Sequence, residues 1–320
     1  MGKSGVGSAV RHQEQMMTRC SLPLTESWKE ASAVHINTVL PDSAAAAYIA
    51  GKQGKKVVCY GHSTMEDFRN SFIGSNQAAP LFKEWICRLY SMGDVILTPT
   101  EYAKRLLSGY GISKPIHVIT NGVDTSFFHP DRKAGERFRQ RFSIPRERKV
   151  VMSAGHLIRR KGIFTFLETA ARMPDVRFIW FGGGNWWAVP GEVKRAMAQK
   201  PDNVLFPGYV EPDVLREAYC GTDAFAFFSW EETEGIVVLE ALASGIPVVV
   251  RDIPVYEDWL QKDVHVRKAS GEKEFSRELE GMLFGENSAM IRKGRELSEE
   301  HSIERAGMRL KKIYRLEGLD

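Results

Sequence analysis

The stretch DAFAFFSWEETEGIVVLEALASGIPVVVRD, residues 223–252, decides the fold class. Two runs of small, β-branched and aromatic residues, 223–229 and 246–252, flank a segment with helical periodicity that begins near Gly235. A strand, a helix and a second strand in this order are typical of a parallel sheet with a crossover helix. The stretch therefore predicts an α/β fold.

The same alternation extends along the rest of the chain. Runs with strand character are followed by helical stretches in both halves, which predicts two doubly wound parallel sheets. A highly charged segment without a strand pattern, residues 128–148, separates the halves and is the expected domain junction. The predicted strands are 33–37, 56–62, 94–99 and 116–122 in the first half, and 149–155, 176–184, 203–206, 223–229 and 246–252 in the second.

The length agrees with two domains. At 320 residues and 36.1 kDa, the chain exceeds the size at which one hydrophobic core usually stops growing. We expect a first Rossmann-like domain over residues 1–135, a second over 146–300, and a final helical segment over 301–320.

The start of the sequence departs from the usual order. A Rossmann-like domain normally opens with a buried strand that leads to a glycine-rich turn, whereas GKSGVG already occupies residues 2–7. Either a start codon lies upstream, or the sheet begins with a different strand, which would leave an exposed edge or a central hole. GKS at 2–4 is similar to a P-loop but lacks its preceding glycine and strand, which argues against a nucleotide hydrolase.

The charge distribution excludes some partners. The net charge is +4, and residues 1–135 hold 15 Lys and Arg against 11 Asp and Glu, whereas the remainder is balanced at 29 against 29. This excess is too small for nucleic-acid binding, and no zinc finger or aromatic RNA-binding motif is present. It is compatible with an ordinary solvated surface or with transient contact with an anionic membrane surface.

The expected location of the protein in the cell follows from two kinds of segment that the sequence lacks. No stretch approaches the roughly 18 apolar residues of a spanning helix, and residues 1–15 have no apolar signal segment. We therefore expect a cytoplasmic protein. The charge excess leaves open peripheral contact on the inner face of the cell membrane. The cysteines are far apart and lack metal-ligand spacing, so we expect reduced side chains and no zinc site. They are Cys20, Cys59, Cys87 and Cys220.

The first group of candidate site residues lies in the opening stretch. If a helix begins near Gly235, the amides of Gly235 and Ile236 are free to bind an anion or polar ligand. Glu232 faces the same crevice, and Glu240 can accept two hydrogen bonds from a vicinal diol such as that of ribose. The alternative is that Glu232 and Glu234 only balance the helix dipole.

A second candidate group lies in SAGHLIRRKGIFTFLETA, residues 153–170. Arg159, Arg160 and Lys161 come where a loop meets a helix N-terminus, so their charges are expected to converge on one spot and hold a diphosphate. The alternative is a solvated basic loop.

Other residues leave more than one interpretation open. Glycines at 182–184 let a ligand approach the backbone or form a flexible turn. Trp186 and Trp187 can stack on a ring, touch lipid, or pack under a loop. His35 and His62 end two strands of the first sheet, where a histidine is more often structural.

Together these features resemble the retaining glycosyltransferases of family 4, which have the GT-B fold of two Rossmann-like domains facing across a cleft. The G-R-L-x-x-x-K-G loop of that family corresponds to GHLIRRKG at 155–162, and its E-x7-E motif lies in EETEGIVVLE at 231–240. The resemblance covers nearly the whole chain. It includes the NGVD turn at 121–124 and the final helical segment, which in this fold typically crosses back to the first domain.

Within the family, further segments look closest to bacterial diacylglycerol glucosyltransferases. They are HINT at 35–38, GHSTMEDFRNSF at 61–72, PTEYAK at 99–104, and TEGIVVLEALASGIPVVVRDIPVYEDWL at 233–260.

The resemblance implies roles for residues of the second domain. Lys161 would bind the donor diphosphate, and Glu240 would accept the ribose hydroxyls. Glu232 would lie beside the transferred sugar, near the amides of Gly235 and Ile236.

It also implies roles for the first domain. Gly5 and Gly7 would approach the diphosphate from across the cleft, and His62 would lie near the reacting centre or the acceptor. One position departs from the family: its common arginine is His156 here, and one of the arginines at 159 and 160 would have to replace its charge.

The implied reaction is transfer of a hexose, foremost glucose from UDP-glucose, to a lipid acceptor such as 1,2-diacylglycerol, with retained anomeric configuration. No DxD motif is present, and no metal or cofactor beyond the UDP-sugar co-substrate is expected. Two alternatives remain: an enzyme of the same fold acting on a soluble sugar, polyol or cell-wall precursor, and a catalytically defective partner subunit.

Overall fold

The structure is a computed structural model that describes residues 5–183 and 186–319. It contains two parallel sheets, each with helices packed on its faces. The strands of the first sheet pair in sequence order and are β1 (Ala33–Ile36), β2 (Lys56–Tyr60), β3 (Val95–Thr98) and β4 (Ile116–Val118).

The helices of the first domain begin where the sequence supplies suitable first residues. Thr64 and Thr100 cap two of them by accepting hydrogen bonds from the amides of Asp67 and Ala103, and Pro41 opens another. The helices are α1 (Gly5–Arg19), α2 (Pro41–Lys52), α3 (Met65–Phe68), α4 (Ser75–Ser91) and α5 (Glu101–Gly109).

The start of the chain differs from the predicted glycine-rich turn. Helix α1 begins at Gly5 and includes the last three residues of the GKSGVG motif, whereas residues 2–4 lie outside the described residues. Within the part of the chain that the structure describes, the first sheet is continuous from β1 to β4 without a central hole, and β1 is a half-exposed edge strand. Met16 and Met17 of α1 pack into the core beside Val58 and Leu97.

The second sheet has the order β10-β9-β8-β5-β6-β7, so strand order reverses between β5 and β8. Strand β10 was not predicted, because its sequence RKA is short and carries no strand pattern. The strands are β5 (Val150–Ala154), β6 (Arg177–Phe181), β7 (Val204–Gly208), β8 (Ala224–Phe227), β9 (Val248–Arg251) and β10 (Arg267–Ala269).

Helices cover both faces of the second sheet. One face packs a cluster around Phe225 and Val248, and the other packs a cluster around Phe166 and Trp180. The helices are α6 (Arg132–Arg141), α7 (Ile163–Arg172), α8 (Gly191–Ala198), α9 (Pro212–Gly221), α10 (Ile236–Ala243), α11 (Glu272–Phe284) and α12 (Ser288–Glu300).

The packing of the second domain extends to residues before its predicted start at 146, within the predicted junction at 128–148. Helix α6 already packs on α9 of the second domain, where a Cβ at Gly135 would overlap the carbonyl oxygen of Cys220. Arg137 pairs with Glu217 at 2.5 Å. The charged segment thus forms a helix because its arginines find acidic partners on the second domain.

The last helix, α13 (Ile303–Glu317), returns to the first domain. It packs against α1, and Gly307 permits a close approach to the backbone of Met16. His117 of β4 lies 2.6 Å from Glu317. Along the described residues, we find no helix with both the length and the apolar character needed to cross a membrane.

Candidate active site

Two loops meet where the strand order of the second sheet reverses. The loop after β5 spans residues 155–162, and the loop after β8 spans residues 228–235. Because β5 and β8 are parallel neighbours, their carboxyl ends open onto the same crevice, where open α/β sheets bind ligands. Both predicted motifs therefore occupy one edge of one sheet.

Gly162 lets these loops come together. It has a φ of +81°, which favours glycine, and a Cβ there would overlap the carbonyl oxygen of Phe228. Helix α7 begins directly after it. The last glycine of the GHLIRRKG motif, Gly162, is thus required both by close packing and by its backbone conformation.

Lys161 and Glu232 form an ion pair in the crevice, in which the carboxylate is buried and the lysine side chain is 16% exposed. Burial lowers the pKa of Lys161, partly offset by the charge of Glu232. Burial would raise the pKa of Glu232, but the positive charges of Lys161 and Arg160 outweigh it and hold that pKa below its ordinary value. Glu232 is therefore an ionised carboxylate at neutral pH.

Arg160 links this pair to the first domain. Its guanidinium lies 4.0 Å from Glu232 and 2.8 Å from Asp67 of α3. It also donates to the hydroxyl of Ser71 at 3.1 Å. Sequence reasoning missed Asp67, although it lies in the segment GHSTMEDFRNSF, because its partner is 93 residues away (160 − 67).

Arg159 does not join the cluster, contrary to the prediction that all three cations converge. It is mostly exposed and pairs with Glu192 of α8 at 3.3 Å. Residues 159–161 form a turn of 3₁₀-helix, in which successive side chains point about 120° apart. Of the two arginines that could replace the charge lost at His156, Arg160 is therefore the one beside Glu232.

Helix α10 begins at Ile236, after Gly235 with a φ of +92°. The first amides of such a helix have no partner within it and point toward the crevice end of the sheet. Glu240 lies one turn further along and is buried, and it accepts a hydrogen bond from the hydroxyl of Tyr219 at 2.9 Å. Burial raises the pKa of Glu240 to about 7.

The loop between Glu232 and α10 also contacts the first domain. Glu234 is buried and accepts hydrogen bonds from the hydroxyl of Thr120 and from the side-chain amide of Asn121, the latter at 2.8 Å. Burial raises the pKa of Glu234 to about 7. Tyr102 donates to Glu231 at 2.8 Å. Glu234 is thus an interdomain contact, which differs from the alternative of a simple helix-dipole charge.

His62 belongs to a separate polar group. Its Nε2 lies 3.2 Å from the amide nitrogen of Gln13 and 3.4 Å from the amide oxygen of Asn37, and its ring stacks on Tyr60. Burial lowers the pKa of His62 to about 4, so the imidazole is neutral at pH 7. None of the described contacts of His62 joins it to Lys161 or Glu232.

The glycines that were predicted to let a ligand approach the backbone lie in different kinds of structure. Gly5 and Gly7 lie in the first turn of α1 instead of in a loop, so the expectation that they reach a diphosphate stays a prediction. Gly182 and Gly183 have positive φ, and a Cβ at Gly182 would collide with Gly155. Gly184 lies outside the described residues.

The arrangement suits an anionic ligand with a polyhydroxyl part. Lys161, Arg160 and the start of α10 supply positive charge at one end of the crevice. Glu240 supplies an acceptor further along α10, and Glu232 supplies an ionised acceptor beside Lys161. This combination can bind a nucleoside diphosphate that carries a sugar.

Comparison with protein families matches both halves of the chain. The family described as "Glycosyl transferases group 1" matches residues 135–295, and "Glycosyltransferase Family 4" matches residues 9–127. The matched regions correspond to the second and first domains.

Two curated relatives match nearly the full length. A processive diacylglycerol alpha-glucosyltransferase of Acholeplasma laidlawii is 39% identical over 98% of this chain and 93% of its own. An alpha-galactosylglucosyldiacylglycerol synthase of Streptococcus pneumoniae is 25% identical over 94% of this chain and 83% of its own.

Solved structures share the fold. A sucrose-phosphate synthase of Thermosynechococcus elongatus has a TM-score of 0.78 at 18% identity, covering 89% of this chain and 73% of its own. HepE of Anabaena, in complex with UDP and glucose, has a TM-score of 0.76 at 15% identity, covering 94% and 80%. The predicted fold of two Rossmann-like domains is confirmed.

Proposed function

This chain belongs to the glycosyltransferases of group 1 and family 4, and from that premise we propose that it transfers a hexose to the hydroxyl group of diacylglycerol. It is a hexosyltransferase. The observation that carries the proposal is the 39% identity, over nearly the whole of both chains, to an enzyme that glucosylates diacylglycerol.

The proposed donor is UDP-glucose. The HepE fold neighbour binds UDP and glucose, and the glucosyltransferase relative transfers glucose. The cluster of Lys161 and Arg160 supports a diphosphate leaving group, because two cations beside a helix N-terminus stabilise the charge that develops on it. These groups supply the positive charge, so the proposal includes no metal ion or other cofactor.

Each site residue has one role in this proposal. Lys161 and Arg160 bind the diphosphate, Glu240 accepts the ribose hydroxyls, and Glu232 orients the transferred sugar. The ion pair with Lys161 favours an orienting role for Glu232, because it fixes the carboxylate in place. His62 is neutral, so its imidazole can donate a hydrogen bond to the acceptor substrate or accept one from it.

The reaction forms a bond between the diacylglycerol oxygen and the anomeric carbon. The bond between that carbon and the β-phosphate oxygen breaks, and its electron pair leaves with UDP. The hydroxyl proton passes to the leaving phosphate oxygen on the same face, so the configuration is retained. The transition state has oxocarbenium character and is stabilised by the cations at the leaving group.

The proposal includes peripheral contact with a membrane. Diacylglycerol is insoluble in water, so an enzyme that uses it has to meet it at the bilayer surface. The excess of positive charge in residues 1–135 supports attraction to anionic lipid.

The test is incubation of the purified chain with radiolabelled UDP-glucose and vesicles that contain diacylglycerol, followed by counting of label in the lipid phase. We expect lipid-bound label that falls by roughly 10- to 100-fold in Glu240→Ala, because a hydrogen bond to a charged group contributes about 1.5–3 kcal/mol. Glu168→Ala removes an exposed glutamate of α7 in the same domain and should transfer normally.

Label released as free glucose, with none in lipid, would contradict the lipid acceptor. Transfer from labelled UDP-galactose that exceeds transfer from UDP-glucose would contradict the donor. Equal label with Glu240→Ala and the wild type would contradict the assigned donor site.

A further inference from the structure

Three exposed tryptophans lie on loops at the mouth of the crevice. Trp186 and Trp187 follow β6 in a short 3₁₀ turn and are 52% and 88% exposed. Trp230 follows β8 and is 55% exposed. Because β6 and β8 flank β5 in a parallel sheet, both loops leave the same edge as the candidate active site. Both side chains of the pair at 186 and 187 are thus more than half exposed.

The first domain adds two exposed apolar side chains at the same place. Phe72 and Ile73, between α3 and α4, are 51% and 87% exposed. Their neighbour Ser71 accepts a hydrogen bond from Arg160, whose carbonyl oxygen accepts one from the amide of Trp230 at 2.8 Å. Residues of both domains thus approach each other around one arginine.

The other two tryptophans connect to this point through charged residues. Arg159, adjacent to Arg160, pairs with Glu192 of α8 at 3.3 Å. On the same helix, the ammonium of Lys194 lies 5.2 Å from the ring centre of Trp186. We name the set Phe72, Ile73, Trp186, Trp187 and Trp230 the cleft rim.

Trp230 is held firmly despite its exposure. The guanidinium of Arg251 lies 3.6 Å from its ring centre, and Arg251 is almost fully buried. Arg251 in turn donates to the carbonyl of Phe228 and to the hydroxyl of Thr165, both at 3.0 Å. A buried cation thus fixes an exposed indole, which favours a contact surface over a loosely packed side chain.

We infer that the cleft rim is a docking surface for a bilayer that contains anionic lipid, and that both domains contribute to it. The inference rests on the proposed function, since diacylglycerol resides in the bilayer. Tryptophan side chains favour the interface between lipid and water. Lys194 lies beside Trp186 of the rim and complements anionic headgroups. Seated in this way, the crevice opens onto the membrane, and diacylglycerol reaches it without crossing water.

The test uses vesicles of phosphatidylcholine and phosphatidylglycerol with the full-length protein. Two double variants each remove part of the rim: W186S with W187S in the second domain, and F72S with I73S in the first. Phe284→Ser is the matched control, because Phe284 is 72% exposed but ends α11, which runs back toward the opposite edge of the sheet.

We expect each double variant to bind vesicles roughly tenfold more weakly or worse, because interfacial binding scales with the apolar area that is buried. The control should bind like the wild type. Brominated lipid should quench tryptophan fluorescence in the wild type, and most of that quenching should disappear in W186F with W187F.

Transfer to short-chain diacylglycerol in detergent micelles should remain within about twofold of the wild type in all variants, because the rim acts on membrane binding. Loss of binding only in the first-domain variant would overturn the two-domain surface, and unchanged binding in both would overturn the surface itself. Absence of transfer to micellar diacylglycerol by the wild type would instead contradict the proposed function, because vesicle binding is measured independently.

Discussion

Glu232 and Glu240 are eight residues apart, and their surroundings shift their pKa values in opposite directions. Burial acts on both carboxyls, but the cations of Lys161 and Arg160 outweigh it at Glu232 and hold that pKa low. At Glu240 burial prevails over the hydrogen bond from Tyr219 and raises the pKa to about 7. One carboxylate is therefore permanently charged at neutral pH, while the other titrates there.

Lys161→Ala should lower kcat/KM for transfer by roughly 100-fold or more, because a single group that stabilises developing charge typically contributes that much. It also leaves Glu232 without its nearest cation, so the pKa of Glu232 should rise. Lys161→Arg keeps the charge and should retain more activity than the alanine variant. Steady-state kinetics with UDP-glucose check this. Wild-type kcat/KM in Lys161→Ala would contradict the role.

Glu240→Gln should weaken UDP binding but stabilise the protein at alkaline pH. The folded pKa of Glu240 is about 7 against an ordinary value of 4.5, so the wild type loses stability as pH rises through this window. The unfolding free energy of Glu240→Gln minus that of the wild type should grow by up to about 1.4 kcal/mol per pH unit between these two pKa values, and it should level off above pH 7.

Urea unfolding of the two proteins at pH 5.5, 6.5 and 8 measures this difference. A difference in unfolding free energy that does not change with pH would show that Glu240 titrates as an ordinary carboxyl. Calorimetric titration with UDP reports the accompanying loss of affinity.

At the scale of elements, two glycines shape the site. Gly162 and Gly235 each precede a helix in the left-handed region, and each follows one of the two strands at the point of reversal. They turn the chain from strand to helix within a short loop, so that the helix begins close to the sheet edge. The amides of both helix starts are thereby available near Lys161 and Glu232.

Gly162→Ala should destabilise the second domain by roughly 3 kcal/mol or more, because it combines an unfavourable φ with overlap on the backbone of Phe228. Gly281→Ala is the matched control, since Gly281 lies inside α11 with open space around it. That change should stabilise the protein by about 1 kcal/mol through helix propensity. Differential scanning calorimetry separates the two, and equal melting temperatures would contradict the packing argument.

The elements that could be predicted from sequence are those with a local signal. Each predicted strand overlaps an observed one, whereas β10 was missed because three residues carry too little pattern. Helix α1 was mistaken for a turn because its start contains two glycines, which packing against α13 tolerates. The proximity of Lys161 and Glu232 could be predicted, because each lies in a contiguous motif that follows one of two neighbouring strands. Asp67 could not, since its proximity to Arg160 depends on the approach of two domains.

At the scale of the whole molecule, one loop serves both the site and the domain contact. Residues 231–234 carry Glu232 in the crevice and meet the first domain through Tyr102, Thr100 and Asn121. Arg105 adds an ion pair to Asp258 at 2.9 Å. The contact between the two domains and the geometry of the candidate site are therefore coupled.

Asp67→Ala together with Glu234→Ala should raise the ratio of molecules with separated domains to molecules with the domains in contact by roughly tenfold or more. The reason is that hydrogen bonds to charged groups are lost at both contacts. Small-angle X-ray scattering should then give a larger radius of gyration, and UDP should reduce it again if the donor favours the closed form. Asp175→Ala alters an exposed aspartate outside the cleft and should leave the scattering unchanged.

The packing of α13 on the first domain has a consequence for synthesis on the ribosome. Ile303, Leu310 and Ile313 complete the same core as Met16 and Val58. At a typical 5–20 residues per second, α13 is synthesised roughly 10–40 s after the last strand of that domain. During this interval the apolar face that α13 later covers is exposed on the nascent first domain. We therefore expect chaperones to bind this face, and we expect the first domain to aggregate when it is expressed without the rest of the chain.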